Sequence, residues 1–272
     1  MPEGDSVLKV ARTLDARLRG AVVRRSDFRV PQHATADLSG LAVLGTEARG
    51  KHLLTRFAGG TTLHTHLRMD GEWTVLAPGK QLPRRVVPDV RILLSTTVGE
   101  APGPTAAALR MPVVELLPTA QEHSVVGHLG PDLLDPHPHV DGAVARLAAQ
   151  PDRGIAAALL DQRNLAGLGN LWVNELCFLR GLDPWRPAGS VDLRRAVELA
   201  VRMLRHSVDT PRAHQVTTGD TRPGRQHWVS GRAGQPCLRC GTTIQVVAEV
   251  PGDAERRRTW WCPRCQPPLP AS

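Results

Sequence analysis

Apolar residues at Val7, Val10, Leu14 and Leu18 recur every three to four positions, with Arg12, Asp15, Arg17 and Arg19 between them. That spacing predicts an amphipathic helix ending at Gly20. From residue 21 to about 117 the period shortens. The runs 21–25, 41–48, 52–57, 61–67, 72–76, 90–95 and 112–117 are short and β-rich, and turn clusters such as Ala58-Gly59-Gly60 separate them. Seven short strands at this spacing predict a β-sandwich or barrel. A stretch rich in Gly, Pro and His follows, and the helical period then returns over 144–149, 155–161, 171–180 and 191–208. Near the end, 242–247 and 258–261 flank Pro251-Gly252-Asp253, a hairpin with turn chemistry. The chain therefore reads as α+β and multi-domain. Residues 1–118 form an N-terminal β-sandwich with an N-terminal helix, 119–142 a linker, 143–224 a helical domain and 225–272 a C-terminal β-hairpin.

Composition narrows the class. With 272 residues, 41% hydrophobic and 22% charged, the chain can bury a sizeable core and is too apolar for a disordered tail. No window reaches 18 consecutive apolar residues, which excludes a membrane helix. The opening Met-Pro-Glu-Gly-Asp lacks the basic-then-apolar pattern of a secretory signal, so a cytoplasmic location is expected. The net charge of +8 points to a polyanionic partner. Between Arg222 and Cys265 eight arginines face three acids, so +5 of that surplus lies in the last fifth of the chain.

Cysteine spacing says what that basic segment is. Cys237-x2-Cys240 and Cys262-x2-Cys265 stand 21 residues apart, two knuckles suited to one tetrahedral Zn²⁺ held by four thiolates. A hairpin this small cannot bury enough apolar area to fold alone, so the metal must supply on the order of 10 kcal/mol. Cys177 lies on an apolar helical stripe and reads as core.

Two further segments could carry chemistry. The loop 161–170 contains Gly167-Leu168-Gly169-Asn170 and opens a helix at about Asn170, so backbone amides at the positive end of that helix could meet a phosphate, with Asn170 capping or donating. At the N-terminus, removal of Met1 would leave Pro2 as a secondary amine. An α-amine with a pKa near 8 is roughly one-tenth neutral at pH 7, enough to act as a nucleophile. Glu3 beside it could serve as acid or base. His64-x-His66 places two imidazoles on one strand face, and His137-x-His139 lies in the linker; neither pair has an evident third metal ligand.

Taken together these residues resemble the formamidopyrimidine-DNA glycosylase and endonuclease VIII family. The match runs through nearly the whole chain in family order: Pro2-Glu3-Gly4, Gly50-Lys51-His52-Leu53-Leu54, His66-Leu67-Arg68-Met69-Asp70-Gly71, Gly167-Leu168-Gly169-Asn170, and a zinc hairpin ending in the run 257–266. Gly4-Asp5 after Pro2-Glu3 looks like the endonuclease VIII branch. The resemblance implies a bifunctional DNA glycosylase and abasic-site lyase acting on damaged double-stranded DNA, with oxidised pyrimidines ahead of purines. The helical domain would be a helix-two-turn-helix module, the hairpin a zinc finger with one structural Zn²⁺, and the protein a bacterial monomer.

Residue by residue, Pro2 would attack C1′ of the damaged nucleotide and Glu3 would shuttle protons. Lys51 would meet phosphate and sugar at the lesion. Gly169 and Asn170 in the turn, and Arg257 in the hairpin, would grip the flanking phosphates; Arg257 also stands among the catalytic set. The register within Arg256, Arg257 and Arg258 is set by the five-residue spacing to Cys262. Met69 would be the apolar wedge that fills the gap left by an extruded base.

The chain also departs from the family. Ser6 stands where a second glutamate is common, the wedge loop of formamidopyrimidine glycosylases has no counterpart between Gly99 and Pro112, and the hairpin is several residues longer. Two alternatives follow, a zinc-dependent DNA-binding protein without catalysis and an abasic-site lyase without base release.

Overall fold

A computed structural model of the chain describes residues 2–210, 214–248 and 257–268. The Pro251-Gly252-Asp253 turn, Arg256 and Met1 lie outside the described residues. Two compact units emerge. One holds Pro2 and Ser6–His128; the other holds Glu3–Asp5 and the described residues from Leu129 onward.

The first unit is a β-sandwich. Helix α1 (Gly4–Leu18) precedes eight strands: β1 (Val22–Phe28), β2 (Val43–Arg49), β3 (His52–Phe57), β4 (Thr61–His66), β5 (Glu72–Leu76), β6 (Val90–Val98), β7 (Ala101–Leu109) and β8 (Val113–Pro118). They form two four-stranded antiparallel sheets, ordered β1-β6-β7-β5 and β2-β3-β4-β8. Alternate residues of β6, Val90, Ile92 and Leu94, are buried, as period-2 patterning requires of a strand with one face on the core. Val7, Ala11, Leu14 and Leu18 of α1 join Leu53, Phe57, Leu63, Ile92, Leu94, Ala106 and Val114 from both sheets in a single core.

The sequence predicts seven strands, and the one it misses is β7. Its residues, Ala-Pro-Gly-Pro-Thr-Ala-Ala-Ala-Leu, lack the β-branched and aromatic signal. It forms because it lies between β6 and β5, where Ala106, Ala107 and Ala108 are fully buried and larger side chains would not fit. Pro102 and Pro104 fall where the β6 register shifts between Ser95 and Thr97 and beyond the reach of β5, positions at which a sheet tolerates proline. The stretch 101–109 is thus sheet interior, not a loop, in accord with the absence of a wedge loop there.

Helix α2 (His123–Val126) closes this unit. The Glu122 carboxylate just before it accepts two hydrogen bonds from Arg56, both at 2.8 Å, pinning the segment to β3.

The second unit contains α3 (Val140–Ala148), α4 (Ile155–Leu160), α5 (Asn170–Leu179), α6 (Leu193–Asp209) and the short hairpin β9 (Gln245–Val247) with β10 (Thr259–Trp261). Helix α6 is amphipathic, burying Leu193, Ala196, Val197, Ala200, Val201 and Leu204, and is capped by Asp192, which accepts from the Arg195 amide. Helix α5 is different. It is buried nearly all round, including Asn170, Asn174 and Glu175, so its polar groups must find protein partners. Among the described residues no helix is long and apolar enough to cross a membrane.

Candidate functional site

In the second unit the partners of α5 form the site. Gly4 donates its amide to the Gly167 carbonyl at 2.9 Å, and a Cβ on Gly4 would lie 2.7 Å from Gly167 Cα, so the two glycines allow this backbone crossing. Gly167 itself has φ +104°, a conformation that favours glycine. The crossing delivers Glu3, fully buried, to the start of α5. Its Oε1 accepts from the Leu171 amide at 2.8 Å and its Oε2 from the Trp172 amide at 3.4 Å.

This changes the expectation for the loop. The first amides of α5 do not await a phosphate; they already hold a carboxylate, the charge that a helix N-terminus stabilises. Asn170 is not the cap either. Gly169 takes that position with extended backbone, and Asn170 is the first helical residue, 8% exposed. The Asn170 Nδ2 donates to the Arg258 carbonyl at 2.8 Å. Four residues on, Asn174 Oδ1 accepts from the Trp260 amide at 3.0 Å. Two carboxamides on one helix face thus hold β10 and the residue before it, so the structure brings Glu3, Gly169 and Asn170 together at one helix end with the Arg258 backbone, while half-buried Arg257 is the residue next to that contact in the chain.

Asp5 and Glu175 are functional groups that the sequence reading missed. Asp5 is fully buried and accepts from Trp172 Nε1 at 3.1 Å, Ser207 Oγ at 2.6 Å and Gln215 Nε2 at 3.3 Å, with His214 Nδ1 at 3.9 Å. It anchors the N-terminal segment from the residue after Gly4. Glu175 is also fully buried; it accepts from the amides of Trp228, Val229 and Ser230 at 2.8–2.9 Å and from the Thr217 hydroxyl, tying the segment ahead of the cysteines to α5. The available signal was polarity inside an apolar helix: Asn174 and Glu175 interrupt a stripe that otherwise reads as core.

The four cysteines meet as predicted. Cys237 and Cys265 sulfurs are 4.0 Å apart, Cys240 and Cys262 3.5 Å, and all four lie within 4.8 Å of one another. Sulfurs about 2.3 Å from a tetrahedral ion stand about 3.8 Å apart, so the donor set fits one soft divalent cation. The Arg239 amide points at Cys237 Sγ and the Cys265 amide at Cys262 Sγ, bonds that favour thiolates. Burial pushes the Cys262 and Cys265 thiols up, whereas hydrogen bonds from Thr242 hold the Cys240 thiol down to about 6. Phe178 of α5 packs in the same small core as Cys237, Ile244 and Cys262, and the Arg239 guanidinium lies 4.4 Å over its ring. Cys177 is wholly buried and its thiol is pushed up to about 12 by burial, which makes it inert core.

The first unit carries the remaining expected residues. Half-buried Lys51 sits with Gly50, φ +58°, in the tight turn between β2 and β3. Met69 is not on a strand; it tops the turn after β4 and is 59% exposed. His66 lies at the end of β4, its pKa lowered to about 4 by burial and by the charges of Lys51 and Arg68.

Comparison with known proteins matches residues 1–105 to the formamidopyrimidine-DNA glycosylase N-terminal domain and 129–215 to the formamidopyrimidine-DNA glycosylase H2TH domain. A "probable endonuclease 8 2" of Streptomyces coelicolor is 48% identical, the alignment covering 98% of this chain and 94% of that protein. A "DNA-(apurinic or apyrimidinic site) lyase Nei2" of Mycolicibacterium smegmatis is 45% identical over 98% and 99%. Among solved structures, a Lactococcus lactis Fpg bound to DNA containing an abasic site superposes with a TM-score of 0.77 at 21% identity, covering 98% of this chain and all of that one.

Proposed function

Because the chain belongs to the formamidopyrimidine-DNA glycosylase and endonuclease VIII family, we propose that it is a bifunctional DNA glycosylase and abasic-site lyase of base excision repair, of the endonuclease VIII-like branch, acting on oxidised pyrimidines ahead of purines. The observation that carries this reading is the seating of Glu3 on the first amides of α5, which fixes the carboxylate of the residue that follows Pro2 in the chain.

Once Met1 is removed, the Pro2 amine attacks C1′ of the damaged nucleotide and expels the base, with Glu3 moving the proton that opens the sugar ring. The resulting iminium acidifies the C2′ proton, and β-elimination cuts the strand on the 3′ side. A second, δ-elimination leaves a gap bounded by phosphates. Lys51 and Arg257 meet the phosphates at the lesion, Gly169 and Asn170 shape the turn that contacts the backbone, and Met69 fills the space of the extruded nucleotide. Cys237, Cys240, Cys262 and Cys265 hold one structural Zn²⁺, which supplies folding free energy to the hairpin and takes no part in the bond changes. The domains divide as 1–118, 119–142, 143–224 and 225–272, and the protein works as a cytoplasmic monomer on damaged duplex DNA.

The test is borohydride trapping on a duplex with one abasic site. The chain with a free Pro2 forms a covalent adduct, Pro2→Gly forms little, and Glu3→Gln traps on a preformed abasic site but releases no base. Absence of an adduct with free Pro2 would refute the amine mechanism and favour a DNA-binding protein without catalysis. Cleavage of abasic sites without release of any oxidised base would favour the pure lyase.

A further inference from the structure

Strand register gathers three imidazoles in the first unit, and the turn after α2 adds a fourth, His128. His52 of β3 pairs directly with His66 of β4, and His64, two residues earlier on β4, pairs with Glu115 of β8. Period-2 alternation puts His52, His64, His66 and Glu115 on one face. The rings pack accordingly: His52 stacks on His64 with centroids 5.0 Å apart, meets His66 edge-on at 4.9 Å, and has His128 at 6.0 Å.

Two short hydrogen bonds run through this group. Glu115 Oε2 lies 2.9 Å from His64 Nδ1, and His64 Nε2 lies 2.8 Å from His52 Nδ1. A carboxylate only accepts, so His64 carries a hydrogen on Nδ1. With His64 neutral, its Nε2 accepts from His52 Nδ1–H, which leaves His52 Nε2 with a lone pair. Adding one proton at His52 Nε2 reverses the middle bond. The His52 Nδ1–H bond breaks, a His64 Nε2–H bond forms, and the charge comes to rest on a buried imidazolium against the Glu115 carboxylate.

We propose that Glu115, His64 and His52 form a proton relay for the lyase step: His52, next in the chain to Lys51, takes up the proton that elimination frees, and His64 with Glu115 holds it. The proposal rests on the lyase reading above. Glu115 and His64 act through His52 and are positioning residues. The charged and titratable groups around His52 are Lys51, His64, His66 and His128, with Arg68 acting on His66. Burial, then these neighbours, hold the His52 pKa down to about 3, so the ring starts each turnover unprotonated at neutral pH. The far end of the relay reaches solvent, since the Glu115 side chain is half exposed.

The experiment compares the full chain with Glu115→Leu and Glu115→Gln, changes at a half-exposed side chain, the second of which keeps an acceptor for buried His64. Single-turnover cleavage of a preformed abasic duplex should slow about tenfold or more in Glu115→Leu with KM unchanged. Glu115→Gln should fall between, because its carbonyl still accepts from His64 Nδ1–H but lacks the charge. Without the carboxylate the relay holds a proton less tightly, so the acid limb of the pH–rate profile moves to lower pH. Nitrogen NMR of the imidazoles should show His64 and His52 as Nδ1–H tautomers in the parent and as mixtures in Glu115→Leu. A His64 hydrogen on Nε2 in the parent, or cleavage by Glu115→Leu within twofold of the parent, overturns the relay. Borohydride trapping separates the two levels: trapping retained in Glu115→Leu beside slow cleavage supports the relay, whereas no trapping in the parent overturns the lyase reading itself.

Discussion

Gly169 is where one methyl group should separate chemistry from folding. Its backbone is extended, with φ −127°, so alanine meets no conformational penalty there. The space is the obstacle. A Cβ on Gly169 would stand 2.3 Å from Glu3 Cδ and 2.6 Å from Glu3 Cγ and Oε1, where ordinary contact begins at 3.4 Å. Glu3 must therefore retreat by about 1 Å, which breaks its bonds to the Leu171 and Trp172 amides and unseats the carboxylate. A displacement of about 1 Å at a reacting group costs on the order of 100-fold in rate. Asn170, Asn174 and the cysteine cluster are untouched, so affinity for an uncleavable abasic-site duplex should stay within about threefold. Single-turnover base release and strand cleavage, measured beside that affinity, check the expectation. Gly169→Ala acting at nearly the parent rate would refute the view that Glu3 must sit on the α5 amides; a loss of binding equal to the loss of rate would show that the turn serves DNA contact alone.

Three other outcomes follow from the same geometry. Arg257→Ala should weaken duplex binding and reduce the slope of log affinity against log salt by about one, the signature of a lost phosphate contact, and an unchanged slope counts against the assignment. Chelation of the metal should unfold the hairpin and abolish DNA binding while the β-sandwich stays folded; retained affinity after confirmed metal loss would contradict the structural role. Burial, together with nearby cations and imidazoles, depresses His52 to about 3 and His66 to about 4 from 6.5, so the unfolded chain binds protons that the folded sandwich refuses. Stability of that unit is then complete above pH 6.5 and lost as the pH falls toward 4. Urea midpoints across that range should decline, with a shallower decline in His66→Gln; equal slopes would rule the imidazoles out as the cause.

How much of this was legible depended on what each residue announces locally. The cysteine knuckles, the amphipathic helix from Val7 to Leu18 and the strands 52–57 and 72–76 stand in the structure as the spacing predicts, because metal ligation and periodic burial write themselves into short windows. Strand β7 was invisible: a run of alanines becomes a strand only because its neighbours leave room for nothing larger. The motifs Pro2-Glu3-Gly4 and Gly167-Leu168-Gly169-Asn170 were each found, but not that the first occupies the helix end opened by the second. Their contact spans 168 residues, and no local pattern encodes it. The same holds for Asp5, whose partners Trp172, Ser207 and Gln215 come from three separate segments, and for His52, whose ring environment depends on a strand register that hydrophobicity alone leaves open.

Six consecutive residues of α5 set a constraint on how such a chain can vary. Leu171 and Trp172 receive the N-terminal carboxylate, Asn170 and Asn174 receive the backbone of the last strand, and Glu175 receives the segment that leads into the metal centre. Segments far apart in the chain thus take their positions from one turn and a half of helix. The chain between β9 and β10 can change in length without altering the bonds of Asn170 and Asn174 to the Arg258 carbonyl and the Trp260 amide. An insertion or deletion of a single residue between Leu171 and Asn174 would instead rotate one set of partners against the other by about 100°. Length variation should therefore be frequent in the loops of related chains and absent from this window, which makes the spacing from Asn170 to Glu175 a sharper mark of an intact repair site than any single catalytic residue.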